Sequence, residues 1–427
     1  MGARILTLRN RELLNLVAVG LITGIGFAAV YIALQEQISA ASLSYAGFFL
    51  LLYLAAHTVA RTAVPHADPY LLPIAALLTA VGLTEIYRLE PDDAFRQGLW
   101  IVIGVACFAG TLLALRHDYR ILESYKYLFG VGALVLLALP ALPVIGLTVN
   151  GARLWVELGP VRFQPGEVAK LMLIVFLAGY LREKREVLAQ GRPKDVGPLL
   201  LIWGGAMLVL VQTNDLGSAL LYFGIFLGML YAATGRVLFV ALGLGLFVAG
   251  SVAAYRAIPR VEERVSIWLD PWQDASGAGY QLVQSLYSIA NGSFDGTGFG
   301  RGTFTTTAGD PLIPFLNTDF IYSAIAQELG LVGASALLLL YMVFIVRGFR
   351  TALLAGDGFS KLLAAGLTFG FAIQTFIILG GIMRLIPLTG ITLPFVSYGG
   401  SSVVANFVLL AGLMLVSNRA NALRGRA

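Results

Sequence analysis

Charge is scarce in this chain. Asp, Glu, Lys and Arg make up 12% of its 427 residues, against 58% hydrophobic. A soluble protein of this size carries about twice that share of charge, so a water-soluble globular enzyme is excluded. Cysteine is almost absent. Cys107 stands alone in an apolar run, so no disulfide forms within the chain. The three histidines, His57, His66 and His117, are scattered and lack metal-ligand spacing. There is no Walker-type phosphate loop, heptad seam, low-complexity tract or soluble domain, and no convincing inverted repeat of the transporter kind. The net charge of +5 does not point to nucleic acid, because basic cytoplasmic loops alone raise the pI of a membrane protein.

What remains is apolar sequence from end to end. Roughly 20 apolar residues span a bilayer, and such runs recur near 13–34, 43–60, 70–88, 97–115, 125–145, 167–182, 198–213, 216–234, 237–257, 319–347, 361–384 and 401–417. Backbone groups in lipid must be paired within their own segment. The expected fold is therefore an all-α, polytopic membrane bundle of about 12 spans. The sixth and seventh runs are short enough to be broken or tilted. The basic stretch 1–11 leads into a long run without a cleavage signal, and reads as an uncleaved first span.

Placing the N-terminus in the cytoplasm puts 19 of the 29 basic residues on inside segments, including the cluster at 182–194, as the positive-inside bias requires. Both termini are then inside. Three outer loops follow, near 148–166, 258–318 and 385–400. The second is much the longest. Its Trp268, Trp272, Tyr280, Tyr287 and Phe294 suit an ordered segment at the membrane interface rather than disorder.

Polar residues break the apolar pattern at these outer positions. Asn317-Thr318-Asp319 ends the longest loop and opens a hydrophobic run. An acid at the mouth of a span is a functional candidate by default, although Asp319 could also cap the next helix. Glu167 and Lys170, after Pro165, share one helix face and can pair, which also suits a plain helix start. Asp215, in Gln212-Thr213-Asn214-Asp215, could cap a helix or serve a site. Gln284 and Ser285 follow a glycine-rich turn. Two prolines, Pro387 and Pro394, lead into Ser397, Gly399 and Ser401. They suggest a re-entrant segment, tolerated only where protein buries it or it lines a cavity. Together these groups could form one outward polar cavity for an anionic, lipid-linked head group such as a pyrophosphate.

The same clusters resemble a known family. Residues 161–170, VRFQPGEVAK, are similar to its RFQPSE-x-AK signature, and 212–218, QTNDLGS, to its QPDLGTS. Asp270-Pro271 with Gly277 to Gln281 and Gln284-Ser285, then Thr318-Asp319-Phe320-Ile321 with Glu328 to Gly333, and finally Gly390 to Ser401, match further signatures in the family's order. This is the SEDS family (shape, elongation, division and sporulation) of FtsW, RodA and SpoVE, and the departures suit a divergent, RodA-like member. They are Asn317 for the usual His, Gln327 for Glu, Asn214 for Pro and Gly166 for Ser. The resemblance covers residues 66–427, so residues 1–65 are two additional spans before a ten-helix core.

The resemblance implies a peptidoglycan glycosyltransferase that polymerises lipid II with inversion, for elongation or division, in the inner membrane of a bacterium. It implies Asp319 as catalytic base. Arg153, Lys170 and Arg96 would meet the departing pyrophosphate. Glu167 and Asp215 would hold the polar network, and Gln284, Ser285, Thr318, Ser397, Gly399 and Ser401 would line the cavity. No organic cofactor is expected; in place of the basic residues, a divalent cation, Mg or Mn, could stabilise the pyrophosphate, held by Asp319, Glu167 and Asp215. The expected partners are lipid II, membrane lipids and a class B penicillin-binding protein acting as transpeptidase, with no nucleic acid. The main alternative is a flippase for lipid-linked precursors, and a third reading is an inactive scaffold, against which the retained Asp319 argues.

Overall fold

The computed structural model describes residues 7–35, 40–143, 145–149, 151–159, 161–186, 197–306 and 310–424. Among them run fifteen α-helices. The first two, α1 (Leu8–Gln35) and α2 (Ala40–Ala63), pack on each other, and α1 also packs on α3 (Leu71–Leu89). Next come α4 (Pro91–Leu115), a single turn α5 (Ile121–Ser124), α6 (Lys126–Ala138) and α7 (Pro165–Glu183). They are followed by α8 (Gly197–Gln212), α9 (Leu216–Thr234), α10 (Val237–Ala257), α11 (Pro259–Leu269) and α12 (Tyr280–Asn291). The chain ends in α13 (Ile321–Leu354), α14 (Gly358–Ile382) and α15 (Gly400–Arg424).

Each of the twelve apolar runs overlaps a helix, but nine helices among the described residues are long and apolar enough to cross a membrane: α1, α2, α3, α4, α9, α10, α13, α14 and α15. The protein is a multi-pass helical membrane protein. The helices α6 and α8 are apolar but shorter. Glu167, Lys170, Arg182 and Glu183 make α7 more polar.

The expectation of a purely helical chain needs one correction. Between α6 and α7 lies a three-stranded antiparallel sheet, β1 (Gly146–Val149), β2 (Ala152–Leu158) and β3 (Val161–Phe163), in that order. Asn150-Gly151 separates the first two strands in sequence, which is the strongest short hairpin signal. The described residues of the long loop carry two α-helices. Pro259 opens the amphipathic α11 and α12 packs on α13. Trp272, Tyr287 and Phe294 stay exposed, as interfacial aromatics do.

The bundle has two distinct ends. At one, His66 and Asp68 meet the C-terminal half of α15 through Asn418 and Ser417, while Arg347 holds Asp68 at 2.9 Å. At the other, the sheet, the end of α8 and the stretch between α14 and α15 gather around the start of α13. Close backbone approach helps fix that second end. A β-carbon on Gly82 of α3 would lie 2.3 Å from the Val396 carbonyl oxygen, so only glycine lets α3 reach the irregular segment. Gly330 (φ +62°) kinks α13 about one-third of the way along, where the backbone of Phe294 to Gly296 crowds it.

Arg9 departs from the loop charge that the orientation argument assumed. It is buried on α1, where it and His57 Nδ1 hold the sealed Glu12 carboxylate at 2.6 and 2.7 Å. Arg4, Arg192, Lys194 and Arg426 lie outside the described residues.

Candidate active site

Asp319 sits one residue before the cap of α13, in a turn whose Thr318 and Asp319 amides donate to the Phe315 carbonyl at 3.2 and 3.0 Å. The neighbouring irregular segment, residues 385–399, clasps this turn. Ser397 Oγ donates to the Thr318 carbonyl at 2.5 Å, and the Tyr398 amide donates to the Asn317 carbonyl at 2.9 Å. Gln97 of α4 steadies the clasp from behind. Its Nε2 donates to the Ser397 carbonyl at 3.2 Å and its Oε1 accepts from the Gly399 amide at 3.1 Å. Thus Thr318, Asp319, Ser397 and Gly399 are brought together as expected.

The Asp319 carboxyl faces Gly390, where a β-carbon would stand 3.7 Å from Oδ2. The residue keeps an open side, though protein atoms crowd the carboxyl. That crowding disfavours the charged form and pushes its pKa from the ordinary 3.8 up to about 6, opposed by the positive charge of Arg264. Arg264 is the residue that sequence reasoning missed. It lies on α11, four residues after Arg260, and its Nη1 donates to the Thr389 carbonyl at 3.4 Å. Burial and the adjacent Arg260 pull its pKa down, while Asp215 and Asp319 oppose this. One guanidinium therefore faces two acids. The signal was present: Arg at positions i and i+4 of an amphipathic helix project from one face.

Asp215 follows Asn214 (φ +59°) and caps α9, accepting from the Ser218 amide at 2.9 Å. Burial raises its pKa, against the Ser218 hydrogen bonds. The cap reading is the one the geometry shows, and the cap also lies in the field of Glu167 and Arg264. Lys170 is buried and donates to Glu167 at 2.7 Å and to Gln374 Oε1 of α14 at 2.6 Å. Gln374 Nε2 continues to the Thr392 carbonyl at 3.0 Å, and Thr392 Oγ1 to Ser402 at 2.8 Å. Ser401 Oγ accepts from the Gln164 amide at 2.8 Å, joining α15 to the start of α7. The Glu167–Lys170 pair thus holds the irregular segment from beneath.

Four other expected site residues make no hydrogen bond or ion pair with the Asp319 carboxyl among the described residues. Ser285 is sealed, its hydroxyl paired with Ser323 at 2.6 Å to join α12 and α13. Gln284 lies half-buried on the same helix. Arg153 is exposed, with its Nε on Thr148 at 3.1 Å and its amide on the Thr213 carbonyl at 3.0 Å. Arg96 is exposed beside Asp93, at 3.6 Å. Asp93 in turn accepts from Asn317 Nδ2 at 2.8 Å, so the residue in place of the family's His is tied to α4. No group of three or more His, Cys, Asp and Glu among the described residues could hold a metal ion. Asp319, Glu167 and Asp215 therefore do not form the three-carboxylate cation site expected of them. Glu167 is spent on Lys170, and Asp215 on its cap.

An acid raised toward neutrality, a half-buried guanidinium and a hydrogen-bonded irregular segment thus meet at one end of a bundle of membrane-spanning helices. The sequence profile described as "Cell cycle protein", that of FtsW, RodA and SpoVE, matches residues 69–422, and the chain belongs to this family. It is 43% identical over 438 residues to the peptidoglycan glycosyltransferase RodA of Mycobacterium tuberculosis, covering 97% of this chain and 91% of that one. It is 34% identical over 362 residues to stage V sporulation protein E of Bacillus subtilis, covering 82% of this chain and 96% of that one. Among solved structures, one of a peptidoglycan synthase complex that coordinates polymerization and crosslinking superposes with a TM-score of 0.70. It is 30% identical and covers 83% of this chain and 98% of that one. The crystal structure of Thermus thermophilus RodA gives a TM-score of 0.60 at 27% identity, with coverage of 82% and 96%.

Proposed function

We propose that this protein is a peptidoglycan glycosyltransferase that polymerises lipid II into β-1,4 glycan and releases lipid pyrophosphate. The single observation that carries the chemistry is Asp319, raised to about 6 at the mouth of a span and faced by Arg264. The family membership and the named activity of its relatives support the substrate class.

In this reading the acceptor sugar hydroxyl approaches Asp319. Its proton passes to the carboxylate as its oxygen bonds to the donor's anomeric carbon. The bond from that carbon to the pyrophosphate oxygen breaks on the opposite face, so an α-linked donor gives a β-linked product in one inverting displacement. Arg264 meets the negative charge that grows on the leaving group. Arg153 and Arg96, both exposed at the same end, draw the head group in. Lys170 holds the wall with Glu167 rather than touching substrate. No step is assigned to a divalent cation, because the acids do not converge. A flippase would need a polar path joining both faces, and the groups around Asp319, with Arg264 and the clasping segment, gather at one end, which favours chemistry.

The site faces the cell exterior or periplasm, in the cytoplasmic membrane, with both termini inside. The positive-inside bias supports this orientation. Residues 1–65 add two spans to a core at 66–427. A class B penicillin-binding protein crosslinks the product and docks its single span on the exposed apolar helices, a partnership in keeping with the similar synthase complex. The test is polymerisation of labelled lipid II by purified protein, alone and with that partner. Wild type makes glycan and folded Asp319→Ala does not. Equal polymer from both removes Asp319 as the base, and lipid II crossing liposomes without polymer supports the flippase.

A further inference from the structure

At the end of the bundle away from Asp319 lies a cavity of about 460 Å³ between α1 and α13, floored by the start of α3. Three guanidinium groups line it, those of Arg11, Arg347 and Arg350, against a single carboxylate, Asp68. That carboxylate is already occupied. It accepts from Arg347 at 2.9 Å and from the Tyr70 amide at 3.0 Å. Arg347 is further held by stacking 4.2 Å above the Tyr70 ring. Arg11 and Arg350 have no side-chain hydrogen bond or ion pair among the described residues. No side chain caps the N-terminus of α3 at Tyr70, so the positive end of its dipole adds to the field. The cavity therefore carries an unanswered positive charge of two guanidinium groups.

Its walls point to the source of the matching anion. Leu8 and Leu354 lie at its rim. Along α13, Val346 and Val343 sit four residues before Arg350 and Arg347, and Leu339 four before Val343. All three are exposed, so one face runs from cationic to apolar toward the middle of the membrane. Leu14 and Leu21 of α1, below Arg11, are exposed in the same way. A soluble phosphate would need only the cations, whereas this groove also continues as an apolar track.

We propose that this cavity binds the head group of an anionic phospholipid, with Arg11 and Arg350 on the phosphate and an acyl chain along α13. Planar guanidinium groups suit phosphate oxygens, and basic hollows between membrane helices suit acidic head groups. Two of the lining residues belong to α1, which precedes the family's matched region. The added helices thus complete a lipid site.

The experiment is native mass spectrometry of the full chain, purified with phosphatidylglycerol or with phosphatidylcholine. Wild type retains one phosphatidylglycerol more than Arg11→Gln/Arg350→Gln, whose affinity falls about 30-fold. The double variant Arg116→Gln/Arg424→Gln, with the same charge change elsewhere, retains it. Equal retention by wild type and the cavity variant overturns the proposal, as does equal loss in both variants. Equal competition by glycerol phosphate shows a free-phosphate site and overturns the lipid assignment. Should the cavity variant unfold, a photoreactive phosphatidylglycerol on wild type decides. Crosslinks at residues 8–14 and 347–354 support the site, and crosslinks only elsewhere refute it.

Discussion

The acid at the start of α13 makes a pH prediction that separates a base from a structural cap. With an apparent pKa of about 6, Asp319 is about 90% ionised at pH 7 and about 10% at pH 5. A base acts only when ionised. Polymerisation of lipid II below saturation should therefore rise about tenfold per pH unit up to pH 6 and level off above pH 7. Removing Arg264 tests the cause. Its positive charge favours the carboxylate and holds the pKa down against burial. Arg264→Gln lifts that restraint, so the acid limb moves to higher pH, by about one unit or more for a close opposite charge. Arg264→Lys keeps the charge and should leave the limb nearly in place while lowering the plateau, because a planar fork is lost. The assay is the initial rate with fluorescent lipid II from pH 4.5 to 8.5, with unfolding followed at each pH. A limb near pH 4 in wild type would mean a solvated carboxyl. A limb that stays put in Arg264→Gln, or moves toward acid, refutes the pairing.

The same acid carries a stability cost with a definite sign. Its folded pKa lies above the unfolded value, so the penalty is absent below pH 4, grows between pH 4 and 6, and is complete above pH 6. Asp319→Asn should raise thermal stability in detergent by about 3 kcal/mol at pH 7.5 and by almost nothing at pH 3.5, while abolishing polymerisation. Lys170→Met strips from Glu167 its one ion-pair partner among the described residues and should cost about 3–5 kcal/mol, read as a lowered unfolding temperature. Glu167→Met/Lys170→Met should recover much of it. Gly82→Ala drives a methyl into the Val396 carbonyl and should cost about 1–3 kcal/mol. It should lower turnover of lipid II more than its binding, because the segment that clasps Thr318 is displaced.

Span positions were legible in the sequence because bilayer thickness fixes one length, and each apolar run overlaps a helix. Polar interruptions were legible for the same reason, since they stand out against lipid. Asp319, Ser397 and Gly399 converge because their segments end at the same side of the bundle. Pairings across the chain were not legible. Lys170 meets Gln374 from 204 residues away, and Asn317 meets Asp93 from 224 away, and no local spacing encodes either. The sheet was legible in principle from Asn150-Gly151, but the surrounding Gly and Pro read equally well as loop. Arg264 hid among the alternating charges of α11, where Glu262 and Glu263 made a solvated face the simpler reading. Ser285 looked available because its sequence neighbours are polar, yet Ser323 had already claimed its hydroxyl.

The irregular backbone at this end explains both the rigidity of the site and the role of Arg264. Carbonyls released from helices at membrane depth must find donors, and six of those in the clasped turn and residues 385–399 take them from other residues. Thr318 is met by Ser397 at 2.5 Å, Pro394 by Tyr341 at 2.7 Å and Asn317 by the Tyr398 amide at 2.9 Å. Thr392 is met by Gln374 at 3.0 Å, Ser397 by Gln97 at 3.2 Å and Thr389 by Arg264 at 3.4 Å. Five of these lie within or near ordinary hydrogen-bond range, and the sixth lies beyond it. The weakest tie is also the only one made by a charged donor. An arriving pyrophosphate offers Arg264 a far stronger acceptor than a strained carbonyl contact, so this guanidinium can turn to substrate without loosening the other five. Its departure from Thr389 also frees the backbone beside Gly390, next to Asp319. In the proposed reaction, binding of the anion and adjustment around Asp319 would then be coupled through one side chain.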